Sequence, residues 1–200
     1  IISDLGYDGL EIVADTPHAF LPLVDEELKK IKSSLENRRL LVSNINANTV
    51  FGWNLEQGNE EKFEPSISNK NETLRKWRVE YTKKTIKMAA ELNAPSVCIT
   101  SGIKNMKNIE DEMIQINKSL FEVLEFAEKN NVSICMEYEP GLLIEKSDDV
   151  FELSKNFKNL GLNLDTCHVE VLNEDFSKVI HKFKHKIFHT HISDCKDSIH

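Results

Sequence analysis

The chain has 200 residues, 40% hydrophobic and 29% charged, which is the balance of a globular domain long enough to bury a core without staples. Its net charge of −8, with basic residues scattered rather than massed, argues against a nucleic-acid partner. No apolar run approaches the ~20 residues needed to cross a bilayer, so no membrane role is expected. Cys98, Cys135, Cys167 and Cys195 lie far apart without a Cys-x-x-Cys pair, so they read as buried free thiols in a reducing cytoplasm rather than as a zinc knuckle.

No Pro/Gly/Ser-rich linker divides the chain, and a single domain over 1–200 is expected. It opens on Ile1 and Ile2, which read as the interior of an element already under way, and no signal peptide is expected. Leu10–Val13 reads as a strand, and Leu28, Ile31 and Leu35 share one helix face. Leu40–Ile45 is the next strand. A long helix carries Leu74, Trp77, Tyr81, Met88 and Leu92 on one stripe and ends at Asn93-Ala94-Pro95, where proline cannot continue it.

Val97–Thr100 is a strand, and Met113, Ile116, Leu120, Leu124 and Ala127 form a helical stripe. Val132–Tyr138 follows as a strand. Ser147 with Asp148 and Asp149 reads as an N-cap and acidic first turn for a helix through Val150, Leu153 and Phe157. Leu160–Leu164, Phe176–Phe183 and Ile187–Ile192 give strand, helix, strand. Short apolar strands alternating with helices imply an α/β fold with a buried parallel sheet, either doubly wound or an eight-stranded barrel. No Gly-x-Gly-x-x-Gly or P-loop follows a strand, which weakens the nucleotide-binding open sheet. Only 47–70 breaks the rhythm. Phe51, Trp53 and Phe63 stand there among polar residues, and a lid loop covering substrate is the expectation.

In a parallel barrel, chemistry gathers at the C-terminal ends of the strands. Here those ends carry Asp15 and His18, Asn46 and Asn48, Thr100 and Ser101, Glu137 and Glu139, Asp165 and His168, and His189, His191 and Asp194. Glu137 and Glu139 share a strand face, as do His189 and His191, while Met136 and Tyr138 should face the helices. Carboxylates aimed into one interior repel and call for a cation. Glu137, Asp165 and His191 could hold one. Such an oxygen–nitrogen set suits Mn²⁺, Mg²⁺, Co²⁺ or Zn²⁺. Spacing alone leaves plainer roles open: a solvated loop glutamate, a hydrogen-bonded structural histidine, an aspartate that only caps a turn. For Asp15 and His18 the loop role is preferred, and for Thr100 and Ser101 a turn.

Four stretches carry a resemblance: Leu5–Ile12 (LGYDGLEI), Met136–Gly141 (MEYEPG), Leu164–His168 (LDTCH) and His189–Asp194 (HTHISD). In their order and spacing they resemble the sugar phosphate isomerase/epimerase superfamily, the xylose-isomerase-like TIM barrels. The resemblance implies a (β/α)8 barrel of which this chain supplies about the second to seventh strands. It implies a divalent metal held by Glu137, Asp165 and His191, with a further Glu expected beyond His200. His168 and Glu139 are then expected to face substrate.

The expected activity is isomerisation or epimerisation of a small sugar-like carbonyl compound, through an enediolate or a hydride shift. Glu137 and His168 would be catalytic, and Glu139, His168, His189 and Trp53 would contact substrate. Family members also dehydrate inositol derivatives. Asp-Thr-Cys-His occurs as well in zinc-dependent apurinic endonucleases, but those need extra histidines at early strand ends, and Leu40–Val50 has none. A non-catalytic barrel is disfavoured by the intact ligand positions. Two open sheet edges make a homo-oligomer the expected assembly.

Overall fold

The computed structural model describes residues 1–48, 50–56, 58 and 60–196. The first unit is β1 (Gly9–Val13) followed by α1 (Asp25–Arg38), and the second begins with β2 (Leu41–Asn46). The short α2 (Phe51–Glu56) and the long α3 (Glu72–Glu91) come next, then β3 (Ser96–Ile99), α4 (Ile109–Lys129), β4 (Ser133–Glu137) and α5 (Ser147–Asn156). β5 (Leu160–Asp165), α6 (Thr166–Val171), α7 (Phe176–Phe183) and β6 (Ile187–His191) complete the chain. The six strands form one parallel sheet in the order β1-β2-β3-β4-β5-β6. This is a curled, incomplete TIM barrel, with every anticipated strand within a residue or so of its expected limits.

Alternation along the strands divides the interior into two chemistries. Ile12, Val42, Ile45, Val97, Ile99, Ile134, Met136, Leu162 and Leu164 belong to the apolar core under the helices. Met136 and Tyr138 are both buried, as expected for residues facing that layer. The intervening residues Glu11, Asn44, Cys98, Cys135, Glu137, Asn163, His189 and His191 bond to one another instead. Helix stripes supply the other half of the core: Ile116, Leu120, Val123 and Ala127 are fully buried on α4. Burying each such aliphatic side chain contributes about 1.5–3 kcal/mol.

Three expectations need correction. Helix α5 starts at Ser147, and its cap is one residue earlier: Asp149 accepts from the backbone N–H groups of Glu145 and Lys146. The Ser147 hydroxyl instead donates to Glu174 at 2.7 Å, because the residue is buried against the turn before α7. Segment 47–70 is not structureless, since it holds α2, and of its aromatics only Phe51 is exposed. Trp53 is buried because it packs edge-on against Trp77, which stacks on Tyr81. Cys98, Cys135 and Cys167 are buried free thiols, whereas Cys195 is partly exposed. Among the described residues, no helix is long and apolar enough to cross a membrane.

Two polar clamps fix the segment from 47 to 70. Asp15, placed in a loop by sequence, is buried just after β1 and accepts the N–H groups of Val50, Phe51 and Gly52 at the start of α2. Arg78 of α3, also buried, donates to the carbonyls of Ala47 at 2.8 Å and Pro65 at 2.6 Å, near the two ends of the segment. Burial pulls Arg78 down to about 10, opposed by Tyr81, Glu64 and Asp15, so it stays charged at neutral pH.

Candidate metal centre at the strand ends

Glu137, Asp165 and His191 are the last residues of β4, β5 and β6. Parallel pairing sets Asp165 opposite His191 and Glu137 opposite Asn163, two residues before Asp165 and so on the same face of β5. His191 Nδ1 lies 2.8 Å from Glu137 Oε1 and 3.8 Å from Asp165 Oδ2. The three expected ligands therefore meet.

Asp165 does more than cap. Its Oδ1 accepts from the Cys167 N–H at 2.8 Å, which starts α6, and from the Ser193 hydroxyl at 2.6 Å. Its Oδ2 is the oxygen toward His191. Helix α6, absent from the sequence reading, carries His168 back toward the strand ends. There His168 Nδ1 lies 2.7 Å from the Tyr138 carbonyl. A carbonyl can only accept, so Nδ1 carries a proton toward it, and Nε2 is left facing away from that bond. Glu137, Asp165 and His168 offer ligand atoms all within 4.8 Å of one another.

The other sequence candidates are arranged around this centre. His189 Nε2 lies 3.0 Å from Glu11 Oε2, and its ring stands edge-on to His191 at 5.4 Å. Glu139 lies two residues beyond β4, half-buried, with Lys62 Nζ of the 47–70 segment 3.7 Å from its Oε1. Trp53 is not brought to the cluster; it packs against α3.

Sequence reasoning missed Glu11. This residue sits in β1 between Leu10 and Ile12, and its carboxylate accepts from Asn44 Nδ2 at 2.7 Å and from both histidines of β6. The signal was available, because a charged residue at an inward position of a half-buried strand needs a partner. Asn163 and Cys98 were missed too: Asn163 Nδ2 approaches His191 Nδ1 at 3.1 Å, and the Cys98 thiol lies 3.4 Å from Glu137 Oε2.

Charge balance follows from this packing. Burial opposes a charge on His191, yet hydrogen bonds and charges from Glu11 and Glu137 hold the imidazole up at about 10. Burial likewise opposes ionisation of Glu11, but hydrogen bonds from His189, His191 and Asn44 keep its carboxyl well below the usual range. Burial, Cys135 and the Glu137 charge push the Cys98 thiol up, so it stays protonated. Three carboxylates thus surround one imidazolium. The donor set of carboxylate oxygens and imidazole nitrogens fits a divalent cation, which would take over the positive charge that His191 now carries.

The family model of the xylose isomerase-like TIM barrel matches residues 1–199. Fructoselysine 3-epimerase of Shigella flexneri is 26% identical, over 96% of this chain and 68% of its own length. Among solved structures, a D-tagatose 3-epimerase-like protein superposes with a TM-score of 0.79 at 22% identity, covering 96% of this chain and 70% of that one. The IOLI protein, solved with a bound zinc atom, gives 0.75 at 20% identity, over 98% of this chain and 66% of its own. These structural likenesses carry the fold, and the match to the family model extends over nearly the whole chain. The chain belongs to the xylose isomerase-like TIM barrel family.

Proposed function

We propose that this chain is a divalent-metal-dependent epimerase or isomerase of a small sugar or sugar-derived keto compound. The observation that carries the reading is the meeting of Glu137, Asp165 and His191 from three successive strand ends, with His168 of α6 beside the two carboxylates. It is supported by relatives whose names are those of sugar 3-epimerases. Mn²⁺, Mg²⁺, Co²⁺ or Zn²⁺ would be held by Glu137, Asp165 and His191. Bound there, the ion supplies a Lewis acid that polarises a substrate carbonyl and acidifies the neighbouring C–H.

The protein's own part is positioning and proton handling. Glu137 has a carboxylate oxygen for that carbon-bound proton, and a further carboxylate from a strand following β6 would serve the opposite face. His168, fixed by its bond to the Tyr138 carbonyl, presents Nε2 to a substrate hydroxyl. Glu139 binds a second hydroxyl once Lys62 yields, and His189 balances developing negative charge. The 47–70 segment closes over the substrate, with exposed Phe51 as the shield and Trp53 as the anchor of α2. A hydride shift would use the same residues without the base. The chain's negative charge fits a small-molecule substrate better than nucleic acid, and its free cysteines fit the cytoplasm.

The test is a panel of ketoses and aldoses offered in D₂O to the intact, Mn²⁺-loaded protein and read by NMR. Proton transfer gives an epimer or isomer with solvent deuterium at the inverted carbon; a hydride shift gives product without it. Absence of any turnover with metal bound would defeat the reading.

A further inference from the structure

We infer that Glu11 is the positioning carboxylate for His191, fixing which ring nitrogen is presented to the metal. The inference rests on the metal-dependent reading above. His191 is held at both edges: Nδ1 faces Glu137 and Asp165, while Nε2 faces Glu11 at 3.1 Å. A histidine that binds a metal through one nitrogen commonly donates its other N–H to a carboxylate, which fixes the tautomer and the ring plane. Glu11 is placed to receive that N–H, which leaves Nδ1 as the ligand atom.

A competing role for Glu11 is direct ligation, since its carboxylate lies close to both histidines of β6. Its oxygens decide against this: Oε2 faces three N–H donors, Asn44 Nδ2 at 2.7 Å, His189 Nε2 at 3.0 Å and His191 Nε2 at 3.1 Å, and Oε1 shares the His191 N–H at 3.2 Å. Asn44 cannot easily turn away. The buried Ser96 hydroxyl donates to its Oδ1 at 2.6 Å, so the amide must point its N–H toward Glu11. A relay thus runs Ser96, Asn44, Glu11, His191, from β3 through β2 and β1 to β6. His189 is a second donor that stops the Glu11 carboxylate from rotating.

The intact protein and its Glu11→Gln variant are titrated with Mn²⁺, free ion being followed by electron paramagnetic resonance, and with Co²⁺, followed by visible absorption. Glu11→Gln is expected to bind Mn²⁺ roughly 10–100-fold more weakly and to shift the Co²⁺ bands, with unchanged circular dichroism. In a His191→Ala background, Glu11→Gln should cause no further loss, because its effect passes through His191. Ser96→Ala, one step back in the relay, should give a smaller loss in the same direction and serves if Glu11→Gln does not fold. Mn²⁺ affinity within twofold of the unaltered protein for both variants, or an equal loss with and without His191, would overturn the inference. An unaltered protein that binds no divalent ion would instead overturn the metal reading itself.

Discussion

Glu11 Oε2 and His191 Nε2 lie 3.1 Å apart although 180 residues separate them in sequence. They sit on the first and last strands of the sheet, which share no backbone pairing. Only a strongly curled sheet brings side chains from its two ends together, and the inherited twist of parallel strands supplies that curl. The interior of this part-barrel is therefore organised as a polar network rather than left as an open groove. His191, gripped by carboxylates on both edges, occupies the place of a cation.

Asp165 should show two separable roles. Asp165→Ala removes the proposed metal ligand and the α6 cap together; loss of the cap alone costs about 1 kcal/mol. Asp165→Asn keeps an oxygen able to cap Cys167 but loses the charge the metal needs. Both variants should lose most bound metal, measured by elemental analysis after equal loading. Only the alanine variant should also melt a few degrees lower. Unchanged metal content in both would remove Asp165 from the ligand set.

Arg78 clamps segment 47–70 through two carbonyls, Ala47 and Pro65. Arg78→Ala leaves both unpaired in a buried place, at a cost of about 3 kcal/mol. For a chain of this size that is roughly 6–12 °C in melting temperature. The same variant should be cut by protease within 51–63 much faster than the parent. A lysine, with one compact donor group in place of the planar fork, should recover only part of the loss. Parental melting and cleavage rates for Arg78→Ala would exclude the clamp.

The strands were legible because their apolar runs are short, punctuated and buried on both faces, and each fell close to its expected limits. The strand-end positions of Glu137, Asp165 and His191 were legible because each directly ends such a run. What stayed hidden depends on contacts between distant residues. Asp15 reads as a loop acid until Val50, Phe51 and Gly52 are seen donating to it. Trp53 reads as an exposed aromatic until Trp77 is found beside it. Glu11 could not be linked to His191 by any local pattern, and α6 is too short for helical periodicity to show.

Among the described residues, strands β1 and β6 have one sheet neighbour each. Unpaired edges are templates for pairing with another chain. Residues 1–200 expressed alone are therefore expected to associate with rising concentration, as sedimentation would show. A version extended by strands that close the barrel should stay at a fixed stoichiometry and hold metal more tightly. A monomeric 200-residue protein that melts cooperatively at every concentration would mean that both edges are already protected.

Gly161 tests how the fold positions the metal centre. It lies in β5 two residues before Asn163, next to the shift in register between Leu162 and Asn163 along the β5–β6 pair. A Cβ at this position would come within 2.3 Å of the Phe188 ring and 2.7 Å of the Lys186 carbonyl. A ring can swing aside, but the carbonyl belongs to the backbone leading into β6, so the strand itself must move. His189 and His191 ride on that strand. Gly161→Ala should therefore cost about 1–3 kcal/mol by overpacking, roughly 2–12 °C in melting temperature, and should weaken divalent-metal binding although no ligand is altered. Adding Phe188→Leu should restore part of the stability and less of the metal affinity, because the clash with Lys186 remains. Calorimetry with and without Mn²⁺ on the single and double variants measures both quantities. Full metal affinity in a destabilised Gly161→Ala protein would show that His191 is placed independently of the β5–β6 register.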